Sequence, residues 1–186
     1  MKSYSQRRSK LQEKRAARDV GGFAQKGSGS SGFAKGDFRN VGNIRGECKH
    51  TSKPVYILKE ADLKKIQAEA LKGGFEDWVM QVEFLGAVGQ SKKFAVLDYK
   101  MFQEMWQYTS SHYNNVTKSQ STYLQIGKSF QFKLDDALKY SSMHVMQLAF
   151  TEDDETAKNV FNLKLYAIVP WQAYLDARKA YMEREE

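Results

Sequence analysis

From Gly36 to Thr51 the chain reads Gly36-Asp37-Phe38-Arg39-Asn40-Val41-Gly42-Asn43-Ile44-Arg45-Gly46-Glu47-Cys48-Lys49-His50-Thr51, and the reading of this stretch decides the rest. The pattern predicts two short strands around a turn at Asn40 to Asn43, because Asn and Gly accept the backbone angles that a turn demands. On a strand, residues two apart project from one face, so Glu47 and Lys49 stand together while Cys48 points the other way into packing. Nine residues separate the acids Asp37 and Glu47. If the two strands are neighbours, the two carboxylates offer the hard oxygens that Mg2+ prefers, with positions left open for water and a phosphate oxygen. An amine beside them can orient or help deprotonate an attacking water and offset charge building on phosphorus. The other reading of an acid and an E-x-K triplet is an exposed ion pair.

Upstream, residues 3–19 read as a polar helix, capped by Ser3 or Ser5 and stopped by Gly21-Gly22. Leu11, Ala16 and Ala17 give it a thin apolar stripe. Residues 21–36 are too rich in Gly and Ser to be core and read as a loop. Within it, Gly27-Ser28-Gly29-Ser30-Ser31-Gly32 spells G-x-G-x-x-G, but no buried strand precedes it and no helix opens at its third glycine. A dinucleotide loop is therefore set aside in favour of a flexible linker.

The net charge is +7, and it is unevenly placed: residues 1–53 carry 13 basic and 4 acidic side chains, residues 54–186 carry 16 and 18. A field concentrated in one segment suits a polyanion-binding surface, since neutralising phosphates releases counterions; it also suits a solvated basic arm. The chain has 186 residues, 41% of them apolar and 13% aromatic, which is enough for a core and excludes wholesale disorder. One cysteine, Cys48, excludes an internal disulfide and a cysteine-based zinc site. His50, His112 and His144 have no ligand spacing. No apolar run approaches the roughly 20 residues of a membrane span, and none follows Lys2, Arg7, Arg8 and Lys10, so a soluble, unsecreted protein is expected.

Downstream, Val55, Ile57 and Leu58 suggest an extended lead-in to a helix through Leu63, Ile66 and Ala70, ended by Gly73-Gly74. Met80, Val82 and Phe84 alternate with Gln81 and Glu83 as in a strand, and Phe94 to Leu97 gives another, followed by a helix through Met101, Phe102 and Met105. These segments then echo. Val79-Met80-Gln81-Val82-Glu83-Phe84 returns as Val145-Met146-Gln147-Leu148-Ala149-Phe150, and Ala95 to Phe102 returns 72 positions later as Ala167 to Tyr174. Their common order suggests a degenerate duplication. The expected organisation is a core over 1–112 and an α/β extension over 113–186, the latter echoing 53–108. Glu152 to Glu155 reads as a solvated connection. A closing amphipathic helix packs Trp171, Tyr174, Leu175, Ala177 and Tyr181 inward.

Asp37, the Glu47-Cys48-Lys49 triplet and the helix behind them resemble the PD-(D/E)XK nuclease superfamily, with Gly36 at its usual proline position. More narrowly, Glu13 in the first helix, the loop serines Ser28, Ser30 and Ser31, Thr51 and the Leu63 to Ala70 helix resemble Holliday-junction-resolvase-like endonucleases of archaeal and phage type. The resemblance covers about residues 5–98. It implies an α/β fold with a restriction-endonuclease-like mixed sheet flanked by helices, and a Mg2+-dependent endodeoxyribonuclease, Mn2+ substituting, that leaves a 5′-phosphate and a 3′-hydroxyl. Asp37, Glu47 and the backbone carbonyl of Cys48 would hold the metal, and Lys49 would be the catalytic lysine. Glu13 would add an acid from the first helix, unless it simply pairs with Arg8 or Lys10. Ser30 or Ser28 would meet the scissile phosphate, and Lys65 or Gln67 would supply the polar side chain that the family often carries on the helix after the lysine strand.

Arg7, Arg8, Lys10, Lys14, Arg15 and Arg18, with Lys26 and Lys35, would then contact the backbone of branched DNA without reading bases. The expected setting is the cytoplasm of a bacterium, an archaeon or a phage-infected cell, with roles in DNA recombination or repair. Since no carboxylate lies between Glu104 and Asp135, the second unit has no acids for a site; a homodimer is expected, because symmetrical cutting of a junction needs two sites, where a monomer would nick. Other readings are a nicking, flap or exonuclease of the same superfamily, a non-catalytic DNA-binding protein, and an assembly protein with a solvated arm.

Overall fold

The computed structural model describes residues 3–25, 36–39, 43–86, 91–109, 120–138, 145–152 and 163–184. Fifteen elements follow one another among these: α1 (Tyr4–Asp19), β1 (Phe23–Ala24), β2 (Phe38–Arg39), β3 (Ile44–Thr51), β4 (Val55–Lys59), α2 (Glu60–Lys72), β5 (Asp77–Phe84), β6 (Lys92–Asp98), α3 (Tyr99–Trp106), β7 (Gln120–Ile126), β8 (Ser129–Lys133), α4 (Leu134–Leu138), β9 (Val145–Thr151), β10 (Leu165–Pro170) and α5 (Trp171–Glu183). Eight strands form one mixed sheet in the order β1-β2-β3-β5-β6-β10-β9-β7, and β4 pairs with β8 in a two-stranded ribbon. No helix among the described residues is long and apolar enough to cross a membrane.

Helices or strands cover both faces of the sheet. Beneath α1, α3 and α5 lie Phe38, Ile44, Val79, Ala95, Leu97, Ala167 and Val169, with Trp171 and Tyr174 closing over them. The opposite face carries Met80, Val82, Phe84, Val96, Leu148 and Ile168 under α2 and the β4–β8 ribbon. Strand β5 is therefore buried on both sides, although its sequence alternates apolar and polar residues. Gln81 and Glu83 look like a solvent face in the sequence, but α1 and the neighbouring strands close over them.

Helix α1 starts at a capping box, in which the Gln6 N–H donates to Ser3 Oγ (3.2 Å) and the Ser3 N–H donates to Gln6 Oε1 (3.0 Å). Its buried stripe is Gln12, Ala16 and Ala17. Leu11, expected on that stripe, is 46% exposed instead. The helix docks through Gln12, Ala16 and Ala17, and the two alanines let it approach the sheet closely.

The expected turn between the first two strands falls mostly on residues 40–42, outside the described residues; Asn43, at its end, has φ 63°. Val55 to Leu58 is more than a lead-in to a helix, since all of β4 is hydrogen-bonded to β8. The acidic connection beyond Glu152 lies outside the described residues, as does His112.

The order of strands has an approximate two-fold symmetry. Strand β3 runs parallel to β5, which is antiparallel to β6; β7 runs parallel to β9, which is antiparallel to β10. The halves meet where β6 pairs antiparallel with β10. Both halves thus belong to one continuous sheet, and the echoed segments occupy corresponding strands.

Close packing lies beside the first acid. The Phe38 ring sits over Gly46, so that a Cβ at Gly46 would lie 2.0 Å from Phe38 Cζ. Phe38 is fully buried and has nowhere to move. Gly46→Ala is expected to destabilise the fold by about 2 kcal/mol or more, read as a lower urea midpoint; an unchanged midpoint would contradict this packing.

Candidate active site at the sheet edge

Asp37 enters the sheet just before β2. Its N–H donates to the Gly46 carbonyl (2.9 Å), and its own carbonyl accepts from the Gln25 N–H (2.9 Å), so its backbone is held on both sides. Gly36, before it, has φ +112°, a region that only glycine enters without strain. A Cβ there would also come within 3.0 Å of Arg45 Nε. Proline, locked near φ −65°, cannot stand at this position.

So placed, Asp37 reaches across the end of the short β2 strand, and its Oδ2 accepts a 2.7 Å hydrogen bond from the Cys48 N–H. Strand alternation puts the Cys48 carbonyl on that same edge. Glu47 and Lys49 project together from the face that carries α2, and Lys49 Nζ donates to Glu47 Oε1 at 2.9 Å. They border a small hollow of about 40 Å³ whose other walls are Asp62, Lys65, Ile66 and Glu69 of α2. Arg45 fixes that wall: buried on β3, it donates to the Glu69 carbonyl (2.9 Å) and to Glu69 Oε2 (2.8 Å).

No family model, curated protein or solved structure matches this chain. Glu13 of α1 approaches the edge from the other face, near enough for its field to act on Asp37 and Glu47. Burial and the neighbouring Glu47 push the Asp37 carboxyl up to about 6, with Glu13 adding to the rise; the Cys48 N–H and Lys49 pull the other way. Burial also raises Glu13, against Lys10. For Lys49, burial works against the charge, but the hydrogen bond and field of Glu47, helped by Tyr56 and Asp37, outweigh it and hold the amine above its ordinary value. In this arrangement Lys49 is a hydrogen-bond donor and a counter-charge to Glu47. Burial pushes the Cys48 thiol up, and its side chain packs against the core under α1.

Among the described residues no three His, Cys, Asp or Glu side chains come together as a metal-ligand group. The donors that fit a divalent ion are two carboxylates and a main-chain carbonyl, all hard oxygens, and Glu47 is drawn toward Lys49. Of the other expected residues, Lys65 lines the same hollow, while Gln67 turns away and accepts from Lys164. Arg7, Lys10, Lys14, Arg15 and Arg18 lie on the exposed side of α1. Arg8 turns inward instead, its Nη2 3.9 Å from Glu83 Oε1. Lys26, Ser28, Ser30 and Lys35 lie outside the described residues.

Sequence reading missed Gln12, Arg45, Tyr56, Asp62 and Glu69. Gln12 is 3% exposed; its Nε2 donates to the Lys49 carbonyl (3.0 Å) and to Gln81 Oε1 (3.2 Å), tying α1 to the strand of the lysine. Its spacing of four from Arg8 and Ala16 was the available signal.

The raised Asp37 value fixes a pH dependence. A carboxyl that binds its proton more tightly when folded adds stability below its ordinary value of 3.8, and loses it as pH rises through about 6. Asp37→Asn keeps an acceptor for the Cys48 N–H and removes the charge. It is expected to stabilise the protein by on the order of 1–2 kcal/mol at pH 8 and by nothing below pH 4. Thermal unfolding of both proteins across that range checks this, and destabilisation at pH 8 would contradict it.

Proposed function

We propose that this edge is the active site of a Mg2+-dependent DNA endonuclease that hydrolyses phosphodiester bonds, with a restriction-endonuclease-like core. The observation that carries the reading is the Asp37 carboxylate latched to the Cys48 N–H beside the Glu47–Lys49 pair. The order of elements supports it as well: a helix, antiparallel strands β1 to β3, then a crossover through α2 into the parallel strand β5. Asp37, Glu47 and the Cys48 carbonyl are the oxygens that would hold the ion. A divalent ion so held supplies a Lewis acid for the phosphoryl oxygens and lowers the pKa of its water.

The protein's own groups do the rest. The mutual repulsion of Asp37, Glu47 and Glu13 favours a cation among them. The Lys49 ammonium offsets negative charge that builds on phosphorus during in-line attack. Glu13, brought in on the helix that Gln12 clamps to the sheet, helps to hold the attacking water. The outward cations of α1 run along the DNA backbone, and contact of this kind selects by shape, as in branched DNA, and not by sequence.

A panel of four-way junction, flap, nicked duplex and linear duplex, each with Mg2+ or chelator, tests the reading. Cleavage is expected only with the metal and most rapidly on the junction. Glu47→Gln and Lys49→Ala are each expected to slow cleavage at least about 100-fold, with binding in chelator little changed. A variant that cuts at the wild-type rate would remove its residue from the mechanism. Binding that falls steeply with salt, with no cutting of any substrate, would leave a DNA-binding protein without catalysis.

A further inference from the structure

The pairing of the two halves is symmetric to the residue. Across β6 and β10, Val96 pairs with Ile168, while Ala95 pairs with Val169 and Leu97 with Ala167, so a two-fold axis passes through the Val96–Ile168 pair. In the ribbon, Ile57 pairs with Gln131, flanked by Tyr56 with Phe132 and Leu58 with Phe130, which sets the same kind of axis there. Strands β3 and β7 then correspond through their partners: Gly46 pairs with Val79, and Gln120 pairs with Val145, the echo of Val79. This register sets Ser121 opposite Glu47 in the comparison, Thr122 opposite Cys48 and Tyr123 opposite Lys49. Gln81 and Gln147 correspond too. Gln81 accepts from Gln12 of α1, whereas Gln147 accepts from Thr122 of its own neighbouring strand at 3.0 Å.

From this we infer that the chain is a single-chain pseudodimer: its second half stands where a second subunit would stand, and one chain breaks one DNA strand per encounter. The inference rests on the nuclease reading for its chemistry, though not for its subunit arrangement. The second half cannot build another site. The sequence has no carboxylate between Glu104 and Asp135. Only 13 residues connect α3 to β7, against the 36 that span α1 to β2 in the first half, which is too few for a second basic helix with its edge strands. The edge of β6, where two such half-molecules would join, is already closed by β10, and Ala95, Val96, Leu97, Ala167, Ile168 and Val169 are buried there. Charge follows the same division, with the basic excess confined to residues 1–53.

Two measurements on the 186-residue chain test this. Light scattering at about 100 µM is expected to give 21.4 kDa, and twice that mass would overturn the inference. On a supercoiled plasmid that extrudes a cruciform, with Mg2+, nicked circles are expected to accumulate first, at a rate proportional to enzyme concentration. Linear DNA as the first product, or a rate rising with the square of the concentration, would overturn it and leave the nuclease reading standing. If nothing is cut, the nuclease reading fails, and the mass still decides the subunit arrangement.

Discussion

The 2.7 Å hydrogen bond from the Cys48 N–H to Asp37 Oδ2 determines where the acids of this protein meet. It forms because β2 is only two residues long, so that among the described residues no strand pairs with β3 on that side beyond it, and a part-buried N–H there needs an acceptor. Asp37 supplies the acceptor and is thereby carried in beside Glu47. The glycines on either side serve the same approach. Gly36 supplies a backbone angle that other residues resist, and Gly46 leaves room for the Phe38 ring that anchors β2.

A second constraint comes from the polar layer under α1. Burying Gln81 and Glu83 on a central strand is costly unless each finds a partner, and α1 brings Gln12 and Arg8 to them at one-turn spacing. The match is incomplete, since Gln12 Oε1, Gln81 Nε2 and Glu83 Oε1 have no hydrogen-bond partner among the described residues. A core chosen for stability alone would be apolar there. The polar layer instead fixes the position of the helix that carries Glu13 and the outward-facing cations, because those pairings can form in only one alignment.

Much of the first half was legible because its elements are short and strongly patterned. Alternation placed Glu47 with Lys49, and helical spacing found Leu63, Ile66 and Ala70, all buried on α2. The dependence of the acids on Gly36 was not legible, since a positive φ leaves no mark in a pattern of apolar residues. Gln12 and Arg45 escaped because buried polar residues look like surface until their partners, Gln81 and Glu69, are seen 69 and 24 residues away. Strands β7 and β8 carry Ser, Thr and Gln between their apolar residues and gave no sign of pairing, whereas β9 and β10 showed themselves through their likeness to β5 and β6.

Metal-dependent catalysis at this edge would require Asp37 and Glu47 to share one divalent cation. Crystals grown with Mn2+ test it through anomalous scattering at the metal's absorption edge. One strong peak is expected within ligand distance of both carboxylates and of the Cys48 carbonyl, with Lys49 released from Glu47. A saturating Mn2+ concentration that leaves the edge without a peak, and Lys49 still bound to Glu47, would contradict it.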